Sequence, residues 1–206
     1  MPSMLKQMVD VRAAQGYSVW KGETFVINGE QGGAHGGIAN HGGAAWGVGG
    51  MYGELRPEFW NAIDQIVGYI NTKGMVVSLA FAGIGRGLPE GSGLEPQVAA
   101  LARYAVGRYA GYSTVWTTCQ EYCTAGADAD AWAGIAKLQW ELDPLKRSTS
   151  LHNCDSNPIP SWRGEPWYGH VTHQQGQCVM TTLSHPSLPR ICSICSRTLV
   201  ACCVPR

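Results

Sequence analysis

The 206 residues carry 15 basic and 15 acidic side chains, so the net charge is zero, and charged residues make up only 15% of the chain. That balance excludes a general phosphate-binding surface, so no nucleic-acid partner is expected. The length suits one substantial core. No apolar run approaches the ~20 residues a bilayer requires, so no membrane partner is expected either.

The opening segment places Met4, Leu5, Met8, Val11 and Arg12 at helical spacing. It lacks the apolar centre of a signal peptide. A chain that begins inside a helix reads as a product that has lost its opening strand. "YSVWKGETFVI", residues 17–27, reads as a strand and its exit loop. Residues 28–53, "NGEQGGAHGGIANHGGAAWGVGGMYG", are too glycine-rich for helix or strand and read as a long loop. They contain neither a P-loop nor a dinucleotide fingerprint. His35, His41 and Trp46 in this loop could line a site; for each histidine a solvated loop position is the simpler reading.

The clearest helix follows. Pro57 fits its first position. Phe59, Trp60, Ile63, Ile66, Val67 and Ile70 share a face, and Gly74 suits its end. "MVVSLAFAG", 75–83, is continuously apolar, as a strand covered on both faces should be. A second helix spans Glu95 to Ala110, with Val98, Leu101, Ala102, Ala105 and Tyr109 inward. "YSTVWTT", 112–118, is the next strand. A third helix runs from Asp128 to Leu142 with Trp132, Ile135 and Ala136 inward, stopped by Pro144. "RSTSLHN" and "YGHVTHQQ" complete the strands.

Helices alternating with strands imply a parallel sheet. The choice lies between an open doubly wound sheet and a closed (β/α)8 barrel; the missing phosphate-binding glycine turn favours the barrel. In either fold the site lies at the C-terminal strand ends. Those ends read Glu23, Gly83-Ile84-Gly85, Gln120-Glu121, His152-Asn153 and His173-Gln174. Glu121 is the notable residue, since an apolar β-branched run ends on a carboxylate, and a buried carboxylate is costly unless paired or functional. It would share a mouth with Gln120, His152, Asn153, His173 and Gln174. Trp20, Trp46, Trp116 and Trp167 lie near the same strands and loops. A carboxylate among aromatics and amides suits a sugar, whose faces stack on rings and whose hydroxyls bond amides. The plainer reading makes Glu121 a loop carboxylate past the strand.

"VRAAQGYSVWKGETF", "PEFWNAIDQIVGYINTKGMVVSLAF", "LARYAVGRYAGYSTVWTTCQEY" and "WYGHVTHQQGQ" resemble successive blocks of the apiosidase-like glycoside hydrolases. The resemblance covers roughly residues 4–177. It implies a (β/α)8 TIM barrel of the retaining glycosidase clan, here incomplete at its first and last strands. It also implies that Glu121 is the acid/base or a close sugar ligand. The family's Gly-Gly-Glu context is replaced here by Thr118-Cys119-Gln120-Glu121. Retention needs a second carboxylate ~5 Å away, which the clan places after strand seven. Glu23 is an available carboxylate, but the family pattern gives it no nucleophile role.

Residues 178–206 hold five of the eight cysteines and no acidic residue. This irregular tail reads as a shifted frame or an intron carried into the protein. Cys192-x-x-Cys195 is half of a zinc site that nothing completes, so neither metal nor cofactor is expected. A metal-binding tail on an unrelated α/β domain is the third reading. Cys119 and Cys123 could be disulfide partners or free thiols. The chain is expected to be a glycoside hydrolase with Glu121 as general acid/base, acting on polysaccharide or oligosaccharide side chains. The alternative is an inactive truncated barrel that at most binds carbohydrate weakly. The family resemblance and the tryptophans favour an extracellular location.

Overall fold

The computed structural model describes residues 1–23, 39–48, 53–80, 91–93, 95–119, 122, 128–152, 162 and 164–170, with only the backbone of Gly22 and Glu23. The elements run α1 (Ser3–Ala14), β1 (Val19–Glu23), β2 (Ala39–Asn40), β3 (Gly43–Ala44), α2 (Pro57–Thr72), β4 (Val76–Ala80), α3 (Glu95–Tyr109), β5 (Thr114–Thr117), α4 (Ala129–Leu142) and β6 (Thr149–Ser150).

The main sheet is parallel, in the order β1-β4-β5-β6. Each strand lies beside the next main-sheet strand in the chain, and the order never reverses. That is the winding of a barrel, in contrast to the switch point of a doubly wound sheet. A parallel bridge from Thr149 to Tyr168 begins the next position, where "YGHVTHQQ" was expected; residues 171–175 of that segment lie outside the described residues.

Local chemistry explains the elements. Pro57 opens α2, whose buried residues Phe59, Trp60, Ala62, Ile63, Val67 and Ile70 form one stripe. Gly74, at φ +75°, turns the chain directly into β4. Asp128 caps α4 by accepting from the Ala131 amide at 2.8 Å. The core forms between helices and sheet from Trp60, Trp116, Trp132, Tyr109, Phe59 and Leu79, all fully buried.

Three expectations change. The segment 28–53 is not wholly loop, because residues 39–44 form the β2–β3 hairpin. Its composition gave no alternation to read, and it is fixed by docking instead: Asn40 Nδ2 donates to the Phe59 carbonyl at 3.0 Å, and the Arg56 amide donates to Ala45 O at 3.1 Å. The α1 periodicity is helical, yet Met4, Met8 and Val11 are exposed, and Val9 supplies the buried contact. Trp20, Trp116 and Trp167 are buried core residues. Trp116 turns toward the helix layer, where its Nε1 donates to Asp143 Oδ2 at 2.7 Å.

The N-terminal end of the sheet is tied by charge. Arg147 bonds both oxygens of Asp143 and donates to the carbonyls of Ala110 and Tyr112. The α3–β5 and α4–β6 turns are thereby fastened together, at the end of a barrel where stability resides. Arg108 meets Asp64 in a bidentate pair at 2.8 and 2.7 Å, joining α3 to α2. Among the described residues no helix is long and apolar enough to cross a membrane.

Candidate active site

Side chains alternate between the two faces of a strand. On β5, Trp116 and Thr118 face α4; Thr118 Oγ1 donates to Gln139 Oε1 at 2.9 Å. Thr117 faces the opposite way and meets Ser78 Oγ of β4 at 2.8 Å through its Oγ1. The register pairs Ser78 with Lys21 and Thr117 with Ser150, which puts Lys21 and Ser150 on this inner face too. Cys119 and His152 continue the series at the C-terminal ends. The inner face thus carries Lys21, Ser78, Thr117, Ser150 and His152, whereas Trp20, Leu79 and Trp116 lie on the outer face with Thr114, Thr118 and Thr149.

The β5–β6 pairing outlasts the regular strands. The Thr118 amide donates to Ser150 O at 2.9 Å and the His152 amide to Cys119 O at 3.1 Å. Cys119 and His152 thus leave the sheet side by side. Tyr122 is buried and packs against Trp162 with ring centroids 4.8 Å apart, and Trp162 packs on Trp167 and Tyr168. An aromatic cluster follows the ends of β5 and β6.

The electrostatics of this face favour neutral side chains. Burial, joined by the Lys21 charge, lowers His152 to about 3 and His170 to about 4. His170 Nδ1 lies 2.6 Å from Ser148 Oγ. Burial also pushes the Cys119 thiol well above its usual value, with Lys21 pulling weakly against it. Cys119 is a buried free thiol. A neutral imidazole has one donor and one acceptor nitrogen. His152 Nδ1 is buried with no hydrogen-bond partner among the described residues.

Of the residues expected at the mouth, His152 lies there, 4% exposed. Trp46 lies in the β1–α2 connection, 6% exposed and bridged to Leu55, as part of the core. Gln120, Glu121, Asn153, His173, Gln174 and the side chain of Glu23 lie outside the described residues, as do Cys123 and the tail. Lys21, Ser78, Thr117 and His170 were not singled out from sequence. The available signal was the odd-numbered polar series Lys21, Glu23 on one strand and Thr117, Cys119, Glu121 on another. Among the described residues no group of three or more His, Cys, Asp or Glu could hold a metal.

The model of the apiosidase-like catalytic domain matches residues 3–189. Solved structures share the fold. A glycoside hydrolase family 5 protein from Bacteroides vulgatus ATCC 8482 superposes with TM-score 0.60 at 13% identity, over 80% of this chain and 35% of that one. Another glycoside hydrolase gives 0.56 at 16%, over 80% and 36%, and a third gives 0.52 at 12%, over 77% and 50%. The chain spans about a third of the length of the first of these. No curated protein matches it. By its match over residues 3–189 and its barrel winding, the chain belongs to the apiosidase-like catalytic-domain family.

Proposed function

We propose that this domain hydrolyses O-glycosidic bonds of oligosaccharide or polysaccharide side chains, with Glu121 as general acid/base. The carrying observation is the continued β5–β6 pairing. Cys119, the residue before Gln120-Glu121, and His152, the residue before Asn153, are still paired as they leave the sheet. Glu121 belongs to the same odd-numbered series as Thr117 and Cys119, and its described neighbours Cys119 and Tyr122 are both buried. Enclosure of the Glu121 carboxyl by bound substrate would keep its proton on to higher pH, as a general acid requires.

In this reading Glu121 gives its proton to the glycosidic oxygen as the bond to the anomeric carbon breaks. The glycosyl group passes to the second carboxylate that retention requires, and the Glu121 carboxylate then takes a proton from the water that displaces it. His152 bonds a sugar hydroxyl as a neutral imidazole. Gln120, Asn153, His173, Gln174 and Glu23 supply further polar contacts. Secretion, which polysaccharide substrates would suit, is part of the same reading.

A second reading has its own support. No Asp or Glu follows Glu165 in the sequence, so the last 41 residues offer no nucleophile. These residues by themselves would then bind carbohydrate without turning it over.

Leaving groups separate the readings. Glu121→Gln should lose about 10²–10⁴-fold in turnover of an alkyl glycoside, which needs acid assistance. It should lose far less on a dinitrophenyl glycoside, and sugar affinity should hold. Equal losses on both substrates, or none, would remove Glu121 from the acid role. Binding without any turnover by the wild-type chain would establish the second reading.

A further inference from the structure

Away from the strand ends, the helix layer holds another place for a ligand. Ala133, Gly134 and Lys137 of α4, with Trp162, Glu165 and Trp167, line an open recess of about 250 Å³. That is below the roughly 300–1,000 Å³ of a drug-sized pocket and suits one small ring. The α4 wall is cut back by its sequence. Gly134 sits inside the helix, where glycine weakens the structure relative to alanine. No packing offsets that weakness, since a Cβ at Gly134 would meet nothing within 4 Å.

The opposite wall is fixed in place. Trp162 packs on Tyr122, Trp167 and Tyr168, with ring centroids 4.8, 5.8 and 6.0 Å apart. The Glu165 amide donates to Trp162 O at 3.1 Å through a turn made by Gly164 at φ +90°. The Thr149 amide donates to Trp167 O at 3.0 Å, which anchors the segment to β6. The two indoles are 5% and 3% exposed, so each offers a ligand a small apolar strip. Lys137 and Glu165 are exposed, and neither side chain has an ion-pair or hydrogen-bond partner among the described residues. One recess thus combines apolar strips, an open donor and an open acceptor.

We propose that this recess is a second carbohydrate site, which holds one ring of a glycan on the helix side of the sheet. A sugar ring has C–H groups for the indoles and hydroxyls that both donate and accept. Glu165 accepts from one hydroxyl and Lys137 donates to another. An anion would meet Glu165, a cation would meet Lys137, and an apolar ligand would leave both without a partner. One ring binds weakly in so open a place; its use is to hold a polymeric substrate against the domain. The choice of carbohydrate rests on the glycosidase reading, whereas the recess and its open charges do not.

The test adds soluble hexasaccharides of glucose, xylose, mannose or arabinose to the chain and follows the indole N–H resonances. Those of Trp162 and Trp167 should shift with at least one of these sugars, with a Kd in the millimolar range. Gly134→Leu, which fills the recess with a better helix former, should abolish those shifts. Lys137→Ala and Glu165→Ala should each weaken binding about three- to tenfold, the effect of one lost hydrogen bond. Turnover of a small alkyl glycoside by Gly134→Leu should be unchanged, while its retention on an insoluble polysaccharide of the same sugar falls. No shift of either resonance with any of the sugars would overturn the proposal. Shifts that persist in Gly134→Leu would overturn it too, because they would place the sugar elsewhere. If Gly134→Leu does not fold, the double variant Lys137→Ala, Glu165→Ala takes its place, and undiminished shifts in it have the same meaning. Turnover without indole shifts removes the second site and leaves the glycosidase reading standing. Indole shifts without turnover do the reverse.

Discussion

Removing the carboxylate of Asp143 should be among the most damaging single changes in the described structure. Asp143 is fully buried, and Arg147 is 15% exposed. Its Oδ2 receives Trp116 Nε1 at 2.7 Å and Arg147 Nε at 2.8 Å; its Oδ1 receives Arg147 Nη2 and the Leu145 amide, both at 3.0 Å. Asp143→Ala leaves the Trp116 indole N–H orphaned in the core, at about 1–3 kcal/mol. It also leaves Arg147 without its counter-charge; losing one partner of a buried pair costs about 3–5 kcal/mol. The two costs overlap. Arg147 keeps its bonds to Ala110 O, Tyr112 O and Thr114, so the total should be about 4 kcal/mol. At roughly 2–4 °C per kcal/mol for a chain of this size, Tm should fall by about 10 °C. Thermal unfolding followed by circular dichroism reads this directly. Asp64→Ala, which breaks a more exposed pair with Arg108, should cost about 1 kcal/mol and serves as the comparison. A loss under about 1 kcal/mol for Asp143→Ala would refute the claim that this network fastens the N-terminal end of the sheet.

Acid should destabilise the fold in a window set by histidine. The folded-state pKa of His152, about 3, lies below the unfolded value near 6.5, so the unfolded chain binds more protons in between. That stability is complete above about pH 6.5 and is lost as pH falls toward 3. Replacing His152 with Gln should flatten Tm against pH across the window; an unchanged slope would show that His152 is not buried neutral. Asp143 acts at lower pH. Burial would raise its carboxyl, but Arg147, Trp116 and the Leu145 amide together hold it below the usual range, so its contribution is lost only as pH falls through that depressed value. Gly42→Ala should undock the hairpin, because a Cβ there would collide with the Glu58 carbonyl at the start of α2. Slowed amide exchange at the β2–β3 turn should disappear in that variant, and retained protection would contradict the docking.

The element order was legible because burial imprints a period. Val98, Leu101, Ala102, Ala105 and Tyr109 repeat at helical spacing and are all buried, and Val77 to Ala80 are buried on both faces as a continuous apolar run implies. The period does not say which side of a marginal helix meets the core, which is why the Met4, Met8 and Val11 row ends in solvent. The hairpin was illegible because it rests on backbone bonds and the Asn40 side chain, which leave no apolar pattern. The His152 amide extends the β6 pairing to Cys119, and that His152 follows a strand was legible. Lys21 was not, because a lysine in a strand usually marks a solvated edge, and only the register with Ser78 turns it inward. Trp116 misled in the opposite direction: its position in the strand suggested the mouth, but the alternation gives it to the helix layer and Asp143.

The central claim is that a protonated Glu121 delivers the proton that breaks the glycosidic bond. The pH dependence of kcat/KM on an alkyl glycoside, wild type against Glu121→Gln, tests it most directly. The account predicts a fall in rate on the basic side as Glu121 loses its proton, and the disappearance of that fall in the variant along with most of the activity. The same basic limb in both proteins would show that the titrating acid lies elsewhere and would contradict the account.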